Sequence, residues 1–148
     1  PRINWDGHED VVRNHNREAR RVDQPVAALI KDLKQRGMLK DTLVLFTTEF
    51  GRTPYTQAGD GVLGKGRDHN MYGFSVAMAG AGLKRGLTVG STNDKGTFVA
   101  DEEYDIGHLF HTWFKALDVP EEMMEYDNGG QPLPVAHDDC FPIESLLA

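Results

Sequence analysis

Asp6 and His8 are the first residues in the sequence whose types and spacing suit metal chemistry. They lie two residues apart within residues 5–10, so on an extended or turning backbone both side chains can reach one cation. A carboxylate oxygen with an imidazole nitrogen favours Zn²⁺, Mn²⁺ or iron over Ca²⁺, although calcium stays among the candidates. The alternative is a polar entry into a helix, in which Asp6 caps the helix and His8 is exposed.

A second polar segment, residues 47–54, directly follows an apolar run that is expected to form a strand. Glu49 comes at the end of this strand, where open α/β sheets bind ligands, so it is a candidate for contact with a metal or a substrate. Gly51 permits a sharp turn, and the planar guanidinium of Arg52 can pair with an anion. The alternative is an exposed loop in which Glu49 pairs with Arg52.

A third polar segment, residues 64–70, combines glycines with charged and imidazole side chains. Lys65 or Arg67 can approach an anion, while Asp68 or His69 can bind a metal. The segment lacks the glycine, lysine and hydroxyl order of a nucleotide-binding P-loop, so that function is excluded. The alternative is a flexible surface loop.

The elements that must position these residues begin with a helix. Its apolar stripe is Val26, Leu29, Ile30 and Leu33, spaced i, i+3, i+4 and i+7. Asp23 is a candidate cap, Pro25 suits a first turn and Gly37 ends the helix. Alternatively, Pro25 lies inside a longer helix that begins near Glu9. The charged residues 17–21 are expected to form a solvated helical face.

The remaining elements predict a single α/β domain over residues 1–148. Residues 42–47 form a short, wholly apolar or β-branched run, which is typical of a strand buried on both faces of a parallel sheet. Residues 74–79, 87–89 and 98–100 are further candidate strands. A second helix over residues 105–117 has Asp105 near its start, and its stripe leaves His108 facing solvent. The expected fold is α/β, with a mostly parallel sheet covered by helices.

The composition excludes several classes of protein. The chain has 148 residues, of which 39% are hydrophobic, so it can bury a core, and its net charge of −7 argues against a nucleic-acid partner. No segment approaches the roughly 18 to 20 apolar residues of a membrane span. The single cysteine, Cys140, excludes an internal disulfide and is expected to be a packing residue.

The three polar segments also occur together in an order that resembles a known family. Residues 5–8, 49–54 and 66–70 are similar to the corresponding motifs of a large, uncharacterised bacterial family of sulfatase-like proteins in the alkaline phosphatase superfamily. Leu117-Asp118 and Asn128-Gly129 match further features, so the resemblance covers nearly the whole chain. It implies the C-terminal portion of an alkaline-phosphatase-like domain.

The resemblance implies a binuclear metal site that hydrolyses a phosphate or sulfate ester, an anionic substrate. Asp6 and His8 would hold one ion, His69 would complete its shell, and Glu49 would serve the second ion. The implied substrate-orienting residues are Arg52, Arg67 and Asn70. Relatives commonly carry export signals, so the resemblance also implies a periplasmic or secreted protein.

Two departures from the family pattern limit the implied activity. Phe50 stands where a nitrogen or amide ligand is usual, which makes the second metal site poorer by one donor. The nucleophile of the superfamily lies upstream of Pro1, so this chain is expected to be a processed product or a piece that is catalytically incomplete. The alternatives are a non-catalytic metal- or glycan-binding module and a structural fragment whose polar loops are merely solvated.

Overall fold

The computed structural model of the protein describes residues 5–56, 65–120, 123–136 and 139–148. In those ranges it has two α-helices, α1 (Val11–Gln35) and α2 (Ile106–Ala116), and a 3-10 helix at Glu144–Leu146. The strands are short: β1 (Leu43–Phe46), β2 (Gly51–Arg52), β3 (His69–Asn70), β4 (Ala77–Gly80), β5 (Ser91–Thr92), β6 (Val99–Asp101), β7 (Glu125–Asp127) and β8 (Pro132–Pro134).

The strands form four separate two-stranded sheets within the described residues. β1 pairs with β4, while β2–β3, β5–β6 and β7–β8 are antiparallel pairs. The predicted mostly parallel sheet covered by helices is therefore wrong. The apolar run of β1 is not buried on both faces, since Leu45 is 37% and Phe46 is 51% exposed. An apolar run of this length indicates that a strand forms, but it does not show whether other elements cover the two faces of that strand.

Helix α1 follows the longer of the two interpretations of the sequence. It runs from Val11 to Gln35 with Pro25 inside it. The Asp10 carboxylate accepts a hydrogen bond from Arg13 N at 3.0 Å, as an N-terminal cap does. The expected solvated face is wrong at one position, because Glu18 is buried and accepts both hydrogen bonds of Arg21 at 2.9 Å.

Helix α2 confirms the second predicted helix and its start. Asp105 is the N-cap and accepts hydrogen bonds from Gly107 N and His108 N. Thr112 is the largest fully buried side chain among the described residues, and its hydroxyl accepts a hydrogen bond from Ile143 N at 2.8 Å. Helix α2 is thereby joined to the segment that precedes the 3-10 helix.

The chain divides into two compact units. The first comprises Pro1–Asp32, Phe46–Ala77 and Ser91–Asp101, and the second comprises Leu33–Leu45, Met78–Gly90 and Glu102–Ala148. The first unit contains β2, β3, β5 and β6. The second contains α2, β7, β8 and the 3-10 helix. Neither described helix combines the length and the apolarity that a membrane crossing requires.

Candidate metal centre

Three side chains of the first unit place potential metal-binding atoms together. Asp6 and His8 lie in the turn before α1, and His69 begins β3. Asp6 Oδ1 is 3.1 Å from His8 Nε2 and 3.2 Å from His69 Nε2. The two imidazole nitrogens are 3.1 Å apart. One carboxylate oxygen and two imidazole nitrogens thus form a nearly equilateral triangle.

The size of this triangle fits a tetrahedral zinc shell. Zinc bonds to nitrogen and oxygen of about 2.0–2.1 Å place neighbouring ligand atoms about 3.3 Å apart. Without a cation the triangle is poorly satisfied, because an imidazole nitrogen either donates or accepts a proton and never does both. At most two of the three short contacts can therefore be hydrogen bonds, whereas a cation at the centre attracts all three atoms.

A close approach of two backbone segments brings His69 to the other two residues. Arg67 N donates to Gly7 O at 3.1 Å, and Val11 N donates to Lys65 O at 2.9 Å. Between these bonds, a Cβ placed on Gly66 would lie 1.5 Å from His8 O. Only glycine at position 66 therefore allows the two segments to approach this closely.

The strand pair β2–β3 places Arg52 beside the triangle. Arg52 is paired in register with His69. Its guanidinium donates to Asp6 Oδ1 at 3.4 Å and to the carbonyl oxygens of Trp5 at 3.2 Å and Arg67 at 3.3 Å. Arg52 thus joins the turn before α1 to β2 and holds the carboxylate against the imidazoles.

Two further residues hold the imidazole rings. The ring of Phe50 stacks on that of His69, with centroids 3.9 Å apart and an interplanar angle of 28°. His8 Nδ1 is buried without a hydrogen-bond partner among the described residues, and Asp68 Oδ1 lies 3.9 Å from it. When Nε2 of a histidine binds a metal, the other nitrogen carries the proton, and a carboxylate commonly accepts it. Asp68 is positioned for that role.

The electrostatics of the triangle favour a charged carboxylate. Desolvation by itself would raise the pKa of Asp6. The hydrogen bond from His69, the charge of His8, and the hydrogen bond and charge of Arg52 outweigh it, so the pKa lies below the usual 3.8. Asp6 is therefore ionised at neutral pH, as a metal ligand must be.

The structure brings together three of the four metal ligands predicted from the sequence. Glu49 is exposed and does not belong to the group formed by Asp6, His8 and His69. Its role as a ligand of a second ion stays a prediction. Of the four predicted ligands, three therefore meet at one candidate ion position and Glu49 does not.

The three residues predicted to orient a substrate differ in their surroundings. Arg52 contacts Asp6 directly. Arg67 contributes to an open cavity of about 370 Å³ that is also lined by Arg13 and Lys65. Asn70 is buried, and its amide binds the backbone of Gly96, Thr97 and Tyr72. The amide of Asn70 therefore organises the loop rather than facing a ligand.

Sequence patterns did not reveal the roles of Phe50 and Asp68. Phe50 was considered only as the residue that replaces a ligand, and Asp68 only as an alternative ligand to His69. The antiparallel pairing of β2 with β3 is the signal that relates them, since it brings Gly51 and Arg52, which follow Phe50, alongside Asn70 and His69, which follow Asp68. Such pairing between two-residue strands leaves no alternating pattern in the sequence.

Comparison with known proteins gives one match. The model of a family described as a protein of unknown function, DUF1501, matches residues 2–147. Neither a curated protein nor a solved structure matches the chain. The matching family is not a sulfatase or alkaline phosphatase family, so the membership inferred from the three motifs is wrong.

Proposed function

The chain belongs to the DUF1501 family, and since that family is described as having unknown function, we propose a function from the site itself: metal-dependent hydrolysis of an anionic phosphate or sulfate ester. The observation that carries the proposal is the triangle of Asp6, His8 and His69, with sides of 3.1–3.2 Å. Three protein ligands are typical of catalytic zinc sites, whereas structural zinc sites use four.

Each residue around the triangle has a distinct part in this proposal. Asp6, His8 and His69 would hold the ion, and Arg52 keeps the carboxylate ionised and in place. Asp68 lies 3.9 Å from His8 Nδ1 and would accept the proton of that nitrogen once Nε2 bound a metal. A zinc ion in such a site supplies Lewis acidity and lowers the pKa of water. Because only three protein ligands would hold the ion, as in catalytic zinc sites, the arrangement suits hydrolysis.

Positive charge on the chain segments that carry the triangle residues supports an anionic substrate. Arg13, Lys65 and Arg67 line the 370 Å³ cavity, together with the single carboxylate of Asp10. Arg67 lies two residues before His69 on the same segment. This local excess of cations contrasts with the net charge of −7 for the whole chain and favours a phosphate or sulfate group over a neutral ester.

The experiment measures metal content and hydrolysis on the same preparations. The upstream nucleophile was implied only by the superfamily resemblance, which the family match overturns. We therefore expect the chain itself to bind Zn²⁺ or Mn²⁺ and to hydrolyse 4-nitrophenyl phosphate or 4-nitrophenyl sulfate, with activity lost on chelation and restored by the metal. His8→Ala and His69→Ala should each lower metal affinity more than the 10- to 100-fold that loss of an outer-shell partner costs. His111→Ala is the matched control, since it removes a histidine of the second unit.

Two other outcomes are informative. Metal binding that depends on His8 and His69, without hydrolysis of either ester, would favour a non-catalytic metal- or glycan-binding module over an enzyme. Metal binding that neither substitution changes would show that the triangle is not the metal site. Hydrolysis that survives complete chelation would contradict the role of the metal.

A further inference from the structure

The second unit contains another group of metal-binding residue types, separate from the triangle. Asp105, His108 and Cys140 each offer one potential ligand atom, and these three atoms all lie within 4.8 Å of one another. The oxygen is 3.0 Å from the imidazole nitrogen and 3.4 Å from the sulfur. Tetrahedral zinc with bonds of about 2.0 Å to oxygen or nitrogen and about 2.3 Å to sulfur separates such atoms by about 3.3–3.6 Å.

The protons available to this cluster cannot satisfy both contacts of His108 Nδ1 with Asp105. His108 Nδ1 lies 3.2 Å from Asp105 N, which is a donor, and 3.0 Å from Asp105 Oδ1, which is an acceptor. If the nitrogen accepts from the backbone N–H, it carries no proton and two electron-rich atoms face each other. If it is protonated, two N–H groups face each other instead. A cation beside Nδ1, Oδ1 and the sulfur removes this conflict.

The residues around the cluster leave space for the thiol of Cys140 and contact the imidazole of His108. A Cβ placed on Gly107 would lie 2.5 Å from Cys140 Sγ, so glycine at position 107 leaves room for the sulfur. The rings of Phe141 and Tyr104 contact His108 edge-on, with centroids 4.7 Å and 5.4 Å from its ring. A half-buried histidine held between two aromatic rings is a preorganised ligand.

We propose that Asp105, His108 and Cys140 form a second divalent-metal site, with a thiolate ligand and a preference for zinc. The cluster combines oxygen, nitrogen and sulfur, a set that zinc accepts and that magnesium and calcium do not. On binding, the thiol proton of Cys140 leaves to solvent and the sulfur takes its place in the metal shell. The hydrogen bond between Asp105 N and His108 Nδ1 is given up in exchange. This site stands independently of the proposed hydrolase site, with which it shares no residue.

Cobalt binding tests the proposal directly, because thiolate ligation of Co²⁺ produces a sulfur-to-metal charge-transfer absorption in the near ultraviolet. The triangle of Asp6, His8 and His69 contains no sulfur and cannot produce this band. We expect titration of the protein with Co²⁺ to give the band and Cys140→Ser to abolish it with the loss of one equivalent of bound metal. His8→Ala should leave the band in place.

Two controls separate loss of the site from loss of the fold. Circular dichroism shows whether Cys140→Ser is folded, and blocking the thiol of the unsubstituted protein with N-ethylmaleimide removes the sulfur without any substitution. Absence of the band in the folded, unsubstituted protein overturns the proposal. A band that survives in Cys140→Ser also overturns it. If the triangle fails to bind metal, the protein still takes up one Cys140-dependent equivalent, so the two proposals fail separately.

Discussion

The side chains around the candidate metal centre have two different proposed roles, binding the metal and positioning its ligands. His8 and His69 offer Nε2 to the centre, and each ring must then carry its proton on Nδ1. His8 Nδ1 is buried and faces Asp68 Oδ1 at 3.9 Å. The same oxygen accepts a hydrogen bond from His69 N at 2.8 Å. Asp68 therefore holds the backbone of His69 and places its charge near His8 without being needed as a ligand.

Asp68→Asn tests this positioning role. Asparagine keeps an oxygen for the bond from His69 N but removes the negative charge near His8. We expect metal affinity to fall by about 10-fold, the lower end of what outer-shell substitutions cost, while the histidines still bind. Calorimetric titration with Zn²⁺ measures the change. Asp94→Asn removes the same charge from an exposed position of the first unit and should leave the affinity unaltered.

The reactivity of Cys140 is also decided by its immediate neighbours. Desolvation and the carboxylates of Asp105 and Asp139 raise the pKa of its thiol from 9.0 to about 11. The thiolate is the nucleophile, so in the metal-free protein alkylation by iodoacetamide should be slow at pH 8. The rate should then rise roughly tenfold per pH unit and level off only near pH 11.

Asp105→Asn is the companion variant for the alkylation experiment. Removal of the Asp105 charge lowers the pKa of Cys140, because the thiolate no longer faces a carboxylate. The pH–rate profile measured in a chelating buffer should then level off at lower pH. A profile of the unsubstituted protein that is already level at pH 9 would contradict the influence of Asp105.

At the scale of elements, the centre depends on a turn and a two-residue strand that approach across glycine. Gly66→Ala would place a Cβ 1.5 Å from His8 O, so the backbone must separate. We expect both metal affinity and the free energy of unfolding to fall, the latter by about 1–3 kcal/mol as for overpacked sites. Gly73→Ala is the matched control, since its Cβ would lie an ordinary 3.5 Å from Val99 Cγ2.

Sequence patterns predicted the helices better than the strands, for a physical reason. The apolar stripe of α2 and its cap at Asp105 depend on residues within one turn of each other, and the helix appears where it was expected. The expected strand at residues 87–89 is absent, and β5 lies at Ser91–Thr92 instead. Two-residue strands are defined by their partners along the chain, and no local pattern specifies those partners.

The candidate site was predictable to the extent that its residues are close in sequence. The spacing of Asp6 and His8 predicts a metal pair only as one of two alternatives, and their meeting with His69 was implied only by the resemblance. His108 was expected to face solvent and Cys140 to pack, because the 35-residue separation of Asp105 and Cys140 hides their contact. The ligand set of the second cluster exists only after the C-terminal segment packs against α2.

A buried hydroxyl connects α2 to the C-terminal segment. Thr112 Oγ1 donates to His108 O at 2.7 Å and accepts from Ile143 N at 2.8 Å. Thr112→Val leaves the buried N–H of Ile143 without an acceptor, which should lower the free energy of unfolding by about 1–3 kcal/mol. Thr112→Ser keeps both bonds and should cost less. Urea denaturation of the two variants measures the difference.

For the whole molecule, metal binding and folding stability are linked. A metal that binds only the folded chain raises the free energy of unfolding by about 2.7 kcal/mol when its free concentration is 100 times Kd. The two proposed sites lie in different compact units and share no residue. Their contributions should therefore add to within about 0.5 kcal/mol.

Urea denaturation with and without Zn²⁺ measures this linkage across four proteins: the unsubstituted chain, His8→Ala, Cys140→Ser and the double variant. We expect each single substitution to remove the stabilisation due to its own site. The free energy of unfolding of the double variant should be the same with zinc as with the chelator. Zinc should also slow hydrogen exchange at two backbone amides beside the triangle, Thr53 N, which donates to Asp68 O, and Asp68 N, which donates to Tyr55 O. This protection from exchange should vanish in His8→Ala and persist in Cys140→Ser. Equal stabilisation of all four proteins would mean that zinc binds elsewhere on the acidic surface and that neither cluster is its site.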